Sequence, residues 1–233
     1  IINNVPPGTK IYKNKILGLR GKATGLVFSN FDEKRHVVSR DDVKRDMKSG
    51  KLEFSMFTAG LDTSYSQKSN DTIAMIFCGI AVDRKVYVLD ERVYSNKLLS
   101  EPIAPSDTVI NFIAFLERNR EEWGFARNVF IDSADQATVT ELKKYKSSAA
   151  CSYIFNNAYK KMRITDRINL QLGWLHTGHY IVLSNCKEHI AELNSYSWNE
   201  KKDNEPEDRN DHTINACQYA WLPYVQKIGA DKN

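Results

Sequence analysis

The stretch DTIAMIFCGIAV, residues 71 to 82, is apolar on both faces of an extended chain. Such a strand cannot show one side to water. It needs strand neighbours and a cover on each face. EFSMFTAGLD precedes it and ends in Asp62; KVYVLDERVY follows it and alternates from Val86 to Leu89. The connections are short, as in an antiparallel meander. The pattern then changes. SDTVINFIAFLERNREEW carries a helical apolar stripe with Ser106 as N-cap. RNVFIDS predicts a short buried strand ending in Asp132, DQATVTELKKYK a helix, and ACSYIFNNA a strand. RITDRINLQLGWLHTG predicts an amphipathic helix stopped by Gly178. HYIVLS is a brief strand, CKEHIAELNSYSW a helix, and DHTINACQYAWLPYVQ a last helix with Ile214, Cys217, Trp221 and Tyr224 near one face. A meander followed by β-α alternation predicts an α/β fold, one mixed sheet covered by helices.

Residues 1 to 50 read differently. Pro6, Pro7, Gly8, Gly18, Gly21 and Gly25 precede the charged run DEKRHVVSRDDVKRDMKSGK. This predicts a loop-rich extension with a short strand near GLVFS and a helix at 41 to 48, ahead of a main domain over 51–233. The polar segment EKKDNEPEDRN is expected to be a mobile loop. No apolar run approaches the roughly 20 residues of a membrane span, and the N-terminus lacks the basic and apolar regions of a signal peptide. Cys78, Cys151, Cys186 and Cys217 show no CxxC spacing. Reduced thiols in a cytosolic compartment are the expectation. A net charge of +4 is compatible with a polyanionic partner.

Two acids, Asp62 and Asp132, stand at the ends of apolar strands, and Asp211 heads a helix. A carboxylate in apolar surroundings is costly unless it is paired or binds a cation. If the two strands are neighbours, both acids emerge at one sheet edge, and a helix N-terminus brought there adds a third. Three carboxylates make a hard-oxygen site suited to Mg²⁺ or Mn²⁺. Two such ions about 4 Å apart can clamp the attacking and leaving oxygens of a phosphodiester. The plainer alternatives stay open. Asp211 alone reads more readily as an N-cap, and Asp132 equally well as a turn residue.

The segments AGLDTSYSQKSNDTIAMIFCGI, NVFIDSADQATVTELKK, AYKKMRITDRINLQL, HIAELNSYSW and NDHTINACQYAW, in this order, resemble the C-terminal nuclease domain of tailed-bacteriophage large terminase subunits. The upstream YKNKILGLRGKATGLVFSNFDEKRHVV resembles the segment joining the terminase ATPase to that nuclease. The resemblance implies an RNase H-like fold and a metal-dependent DNA endonuclease that cleaves concatemeric viral DNA during genome packaging. It implies Asp62, Asp132 and Asp211 as catalytic metal ligands, with Asp71 and Asp208 as further acids and His212 as the motif's histidine. It implies two Mg²⁺ or Mn²⁺ ions, double-stranded DNA as substrate, and the terminase ATPase part, portal protein and small terminase subunit as partners, in the cytoplasm of an infected host and without a membrane. The family often has a second Asp four residues after the DH acid. Here Asn215 stands there, one charge fewer for a second ion. GLRGKAT does not satisfy GxxxxGK[ST], so no nucleotide site is expected, and residues 1 to 50 become a linker from an absent ATPase domain.

Among the basic clusters, Lys160, Lys161 and Arg163 are the expected DNA-backbone contacts. Arg167 is expected to pair with Asp166, and Tyr65 sits in a Ser-rich turn after Asp62 that could approach a scissile strand. His176, His179, Cys186 and His189 have a spacing that would allow a structural zinc site, although such sites usually hold more Cys. Two other functions compete. GLDTS also resembles the phosphate strand of actin-like and sugar-kinase ATPases, but IDSAD lacks the glycines of their second loop. A non-catalytic module docking the packaging machine on DNA or the portal would bind without cutting.

Overall fold

The computed structural model describes residues 25–63, 72–95, 103–132, 134–148, 151–202 and 205–229. Its seven-stranded sheet has the order β1-β7-β4-β3-β2-β5-β6. The meander is β2 (Phe54–Thr63), β3 (Thr72–Ala81) and β4 (Val86–Ser95), antiparallel throughout. The remaining strands join by parallel pairing: β5 (Asn128–Ile131) on β2, β6 (Ile154–Asn157) on β5, and β7 (Tyr180–Leu183) on β4. The two-faced apolar strand β3 is interior, and every side chain from Ile73 through Cys78 is inaccessible to solvent.

Helices cover both faces. α3 (Pro105–Glu122) and α4 (Gln136–Ser148) pack together on one side, where Phe57 stacks on Phe77. α7 (His212–Trp221) crosses β2 and β3 on the other side. It is flanked by α5 (Ile164–Thr177) and α6 (Lys187–Ser195), with Trp174 of α5 edge-on to Trp221 at 4.7 Å. A 3-10 helix, Leu222–Lys227, continues α7.

Several local expectations hold. Gly178 closes α5 at φ 73°, a left-handed conformation that costs glycine little. The helix expected at 41 to 48 is α2 (Arg40–Lys48), capped by the Ser39 hydroxyl. Cys78, Cys186 and Cys217 are buried free thiols and Cys151 a half-buried one. Others shift. α3 begins at Pro105 with Ala104 at the N-cap and no side-chain cap; proline's fixed φ sets the first turn, so Ser106 lies inside the helix. GLVFS is a turn with one bridge, Leu26 to Ser197, and its Val27 and Phe28 are buried. In the polar segment after Trp198, the described residues on its two sides are joined by a bridge from Trp198 to Pro206 and by Asn199 N–H donating to Glu205 O at 2.9 Å.

Part of the expected extension is built into the same sheet. α1 (Glu33–His36) leads into β1 (Val37–Val38), which pairs in parallel with β7. His36 is fully buried and bonds Leu175 O. α2 reaches the end of α3, where the Lys44 ammonium lies 3.8 Å from the Trp123 ring centre.

Candidate active site

Neighbouring parallel strands bring the first two acids to one edge. Leu61 on β2 pairs with Ile131 on β5, and the Asp132 N–H donates to Leu61 O at 3.0 Å. Asp62 and Asp132 are therefore the next residues on two adjacent strands that run the same way.

Asp211 arrives through a glycine. On β2, residues 58, 60 and 62 share a face, and that face lies under α7. The Thr58 hydroxyl donates to Ala220 O at 3.0 Å. A Cβ on Gly60 would sit 1.8 Å from Ala216 O. His212 Nδ1 lies 3.2 Å from Asp62 Oδ2. Four helical residues rise about 6 Å and two strand residues about 6.6 Å. The helix therefore stays in step with the strand, antiparallel to it, and its first residues land at Asp62. Gly60 is what permits this close approach.

Asp211 occupies the N-cap position of α7, preceded by Asn210 at a left-handed φ of 53°, but its carboxylate makes no capping hydrogen bond. The cap comes from another helix. Glu192 Oε2 on α6 accepts from Thr213 N–H at 2.9 Å, Ile214 N–H at 3.1 Å and the Thr213 hydroxyl. Glu192 thus satisfies amides that an N-cap side chain would normally take. The Asp211 carboxylate is released to face inward. It accepts from Asn215 Nδ2 at 3.1 Å and the Tyr196 hydroxyl at 3.3 Å.

All three acids are buried: Asp62 and Asp211 are each 5% exposed and Asp132 8%. Burial pushes the Asp62 carboxyl above the usual carboxylate range. His212 pulls it partly back, and the charge of Asp132 adds to the rise. Asp211 is raised in the same way, by burial first, with the charges of Asp62 and Asp208 adding to it against His212. Burial alone would lower His212, but its hydrogen bond to Asp62 and the surrounding carboxylates outweigh this, and the net shift is upward. Asp132 is held by Lys160 Nζ, by Ala134 N–H at 2.8 Å and by the Tyr219 hydroxyl at 3.3 Å.

The three acids thus form one electrostatic cluster, each member held by protein donors. Among the described residues no three His, Cys, Asp or Glu side chains are drawn into a set that could hold a metal ion. The donor chemistry nevertheless suits a hard divalent cation, since these are buried carboxylate oxygens whose present counter-groups are His212 and Lys160. Loading the site would require Lys160 to give up Asp132.

The other expected residues fall as follows. Asp208 is exposed and close enough to raise Asp211. Asn215 lies on the acid's face and donates to it. Lys160 and Lys161 are both exposed, and Lys160 turns its ammonium toward Asp132. Arg163 is exposed and clasps Asp166 at 2.9 Å, so Arg167 does not form the expected pair with Asp166. Asp71 and Tyr65 lie outside the described residues. The four zinc candidates go separate ways: His189 bonds Tyr180 and Thr213, His179 bonds Thr177, Cys186 contacts Val88 O, and His176 is exposed. Gly60, Glu192, Tyr196 and Tyr219 were not among the residues expected from sequence. Only Tyr219 had a usable signal, since Asp211, Asn215 and Tyr219 recur every four residues on one helix stripe.

No protein-family model matches the chain, and no curated protein matches it. Solved structures do. The large terminase of a thermophilic bacteriophage, in complex with ADP, superposes with a TM-score of 0.71 at 19% identity, over 93% of this chain and 49% of that one. The P22 large terminase nuclease domain gives a TM-score of 0.55 at 14% identity, over 85% and 92%. The large terminase nuclease from thermophilic phage G20c, with bound magnesium, gives 0.52 at 13%, over 86% and 98%. The chain therefore has the RNase H-like fold of large terminase nuclease domains. It spans about half the length of the ADP-bound large terminase.

Proposed function

We infer that the chain is a divalent-metal-dependent DNA endonuclease of the terminase type, cutting concatemeric viral DNA during genome packaging in the cytoplasm of an infected bacterium. One observation carries this reading: three buried acids from β2, the end of β5 and the start of α7 lie within electrostatic reach of one another at one sheet edge, and a helix cap supplied by Glu192 leaves the Asp211 carboxylate off the helix amides. Asp62, Asp132 and Asp211 would hold Mg²⁺ or Mn²⁺, with Asp208 and Asp71 as further acids; the G20c nuclease that shares this fold was solved with bound magnesium. Two ions are proposed, although Asn215 supplies an amide in place of a charge. Bound divalent cations would supply the positive charge that receives the phosphodiester and the activation of the attacking water.

The chain's own residues prepare that chemistry. His212 orients Asp62, Tyr219 orients Asp132, and Tyr196 with Asn215 orients Asp211. Lys160 stands in as a cation on Asp132 and is free to move to a DNA phosphate when a metal ion takes its place. Lys161 and Arg163 extend the positive surface along the duplex. The remaining part of a terminase-sized chain would carry the ATPase, and the portal protein and small terminase subunit would be its partners. No helix among the described residues is long and apolar enough to cross a membrane.

Plasmid DNA incubated with the chain and Mn²⁺ or Mg²⁺ should be nicked or linearised, and EDTA should abolish the cutting. Loss of cutting in Asp62→Asn, Asp132→Asn and Asp211→Asn is the expected result. Undiminished cleavage in all three would overturn the assignment. DNA binding without cleavage would favour a docking module, and ATP hydrolysis without cleavage an ATPase.

A further inference from the structure

Arg167 is the residue that neither the acid cluster nor the fold explains. It projects from the first turns of α5, and its Nε and Nη1 are buried with no hydrogen-bond partner. Its nearest sequence candidate, Asp166, is already taken by Arg163. Its electrostatic neighbours are Tyr219, Tyr196, Asp211 and Asp62. Those two tyrosines are the ones whose hydroxyls hold Asp132 and Asp211. The guanidinium therefore stands among the groups that set the acids, in a half-buried position, and none of the acids takes either of these two N–H donors.

A buried guanidinium with empty donors is an expensive arrangement. A structural arginine is held by the acceptor it was placed to meet. Here two of the donors have no acceptor, although carboxylates lie within electrostatic range. A guanidinium N–H close to an acid site is a charge-assisted donor for an oxygen of an incoming anion. An anion that must come to this place for the proposed reaction is the phosphodiester of the DNA strand.

We propose that Arg167 is a phosphate-binding residue of this nuclease, whose unpartnered N–H groups supply a charge-assisted hydrogen bond to a non-bridging oxygen of the scissile phosphodiester. This rests on the endonuclease reading above. The acids and their cations would contact the same phosphate from the sheet side, and Arg167 from the α5 side. Tyr196 and Tyr219 keep the two sets in register, since each lies beside Arg167 and bonds an acid. The contact strengthens as charge builds on the phosphate oxygens during displacement.

The test compares the full chain with Arg167→Met and Arg167→Lys. Three readouts are needed: metal-dependent cleavage of plasmid and of a short duplex under saturating and sub-saturating DNA, melting temperature without metal, and Mn²⁺ affinity by spin resonance. In Arg167→Met, a side chain of similar reach without unfilled donors replaces a buried charge. Its melting temperature should stay level or rise, while kcat falls about 100-fold and Mn²⁺ still binds. Arg167→Lys keeps the charge but loses the planar guanidinium donors, and should remain well below the unaltered chain in kcat. A melting temperature that falls together with activity would assign Arg167 a structural role and overturn the proposal. Unchanged kcat and KM in Arg167→Met would overturn it as well, and alone, because the unaltered chain would still be a nuclease. Absence of cleavage by the unaltered chain would overturn the endonuclease reading and this proposal with it.

Discussion

Asp62 and Asp90 begin as similar sequence features, each an aspartate closing an apolar run of strand, and both end up buried. Their surroundings are opposite. Asp90 on β4 accepts from Arg118, from Asn119 Nδ2 at 2.9 Å and from Asn185 Nδ2 at 3.4 Å. Its neighbour Glu91 accepts the Glu188 and His189 N–H groups at 2.8 and 2.9 Å and so anchors the start of α6. These donors come from α3, from the turn after β7 and from the start of α6. Asp62 has His212, and otherwise a raised carboxyl pressed against the charge of Asp132. A buried acid whose lone pairs are consumed by permanent donors is architecture. One raised by burial beside another acid, with a titratable histidine as its partner, is suited to a cation that comes and goes.

The largest effects should separate the two acid sites outright. Asp62→Asn, Asp132→Asn and Asp211→Asn should each lower metal-dependent cleavage about 1000-fold, and melting of the metal-free protein should show Asp62→Asn and Asp211→Asn at least as stable as the parent. Asp90→Asn, assayed while folded, should cut near the unaltered rate. A dead Asp90→Asn, or an active Asp62→Asn, would erase the distinction.

Gly60→Ala comes next. Its Cβ would meet Ala216 O at 1.8 Å, so α7 must move off β2. A loss of about 3 kcal/mol by urea denaturation is expected, together with lost cleavage because Asp211 and His212 are carried away. Stability close to the parent's would mean the helix approach is not what builds the site.

Asp90→Ala removes the Arg118 acceptor and one of the two acceptors of Asn119 Nδ2, which keeps Phe115 O. About 2 kcal/mol should be lost in the same denaturation assay, the greater part from buried Asn119, because Arg118 is half exposed and its ion pair is screened.

The pH dependence should be milder and opposite to that of an ordinary salt-bridged acid. Asp62, Asp211 and Glu192 are all raised by burial, and His212 is raised on balance. A folded state that holds protons more tightly than the unfolded chain is favoured below the ordinary carboxylate range and loses that advantage as pH rises through the raised values. The metal-free melting temperature should therefore fall from mildly acidic toward neutral pH. Mg²⁺ or Mn²⁺ should restore it most at the higher pH, where the acids are free to bind. The smallest change is Asn215→Asp. It exchanges a hydrogen bond to Asp211 for a second charge and should raise divalent affinity several-fold in calorimetry.

Much of this was legible along the chain. The alternating β-α order, the two strand-end acids and the helix-heading acid depend on local pattern and burial cost, which a sequence carries in full. The i+4 stripe of Asp211 and Asn215 was legible for the same reason. Lys160 was readable as a basic residue after a strand, but its turn toward Asp132 depended on where β6 and α5 were placed. The cap on α7 could not be read, because a helix start followed by Thr213 gives no hint that Glu192, from the preceding helix, will take those amides.

What the sequence determined by itself is the order of elements and the identity of the acids, because hydrophobic period and residue type are properties of short segments. What only the tertiary structure decided is which groups hold each acid. Gly60 sets how close α7 comes, Glu192 supplies the cap, and the fold leaves two donors of Arg167 beside the cluster without a partner. Each depends on segments far apart in the chain meeting at hydrogen-bond distance, and no local pattern encodes that meeting.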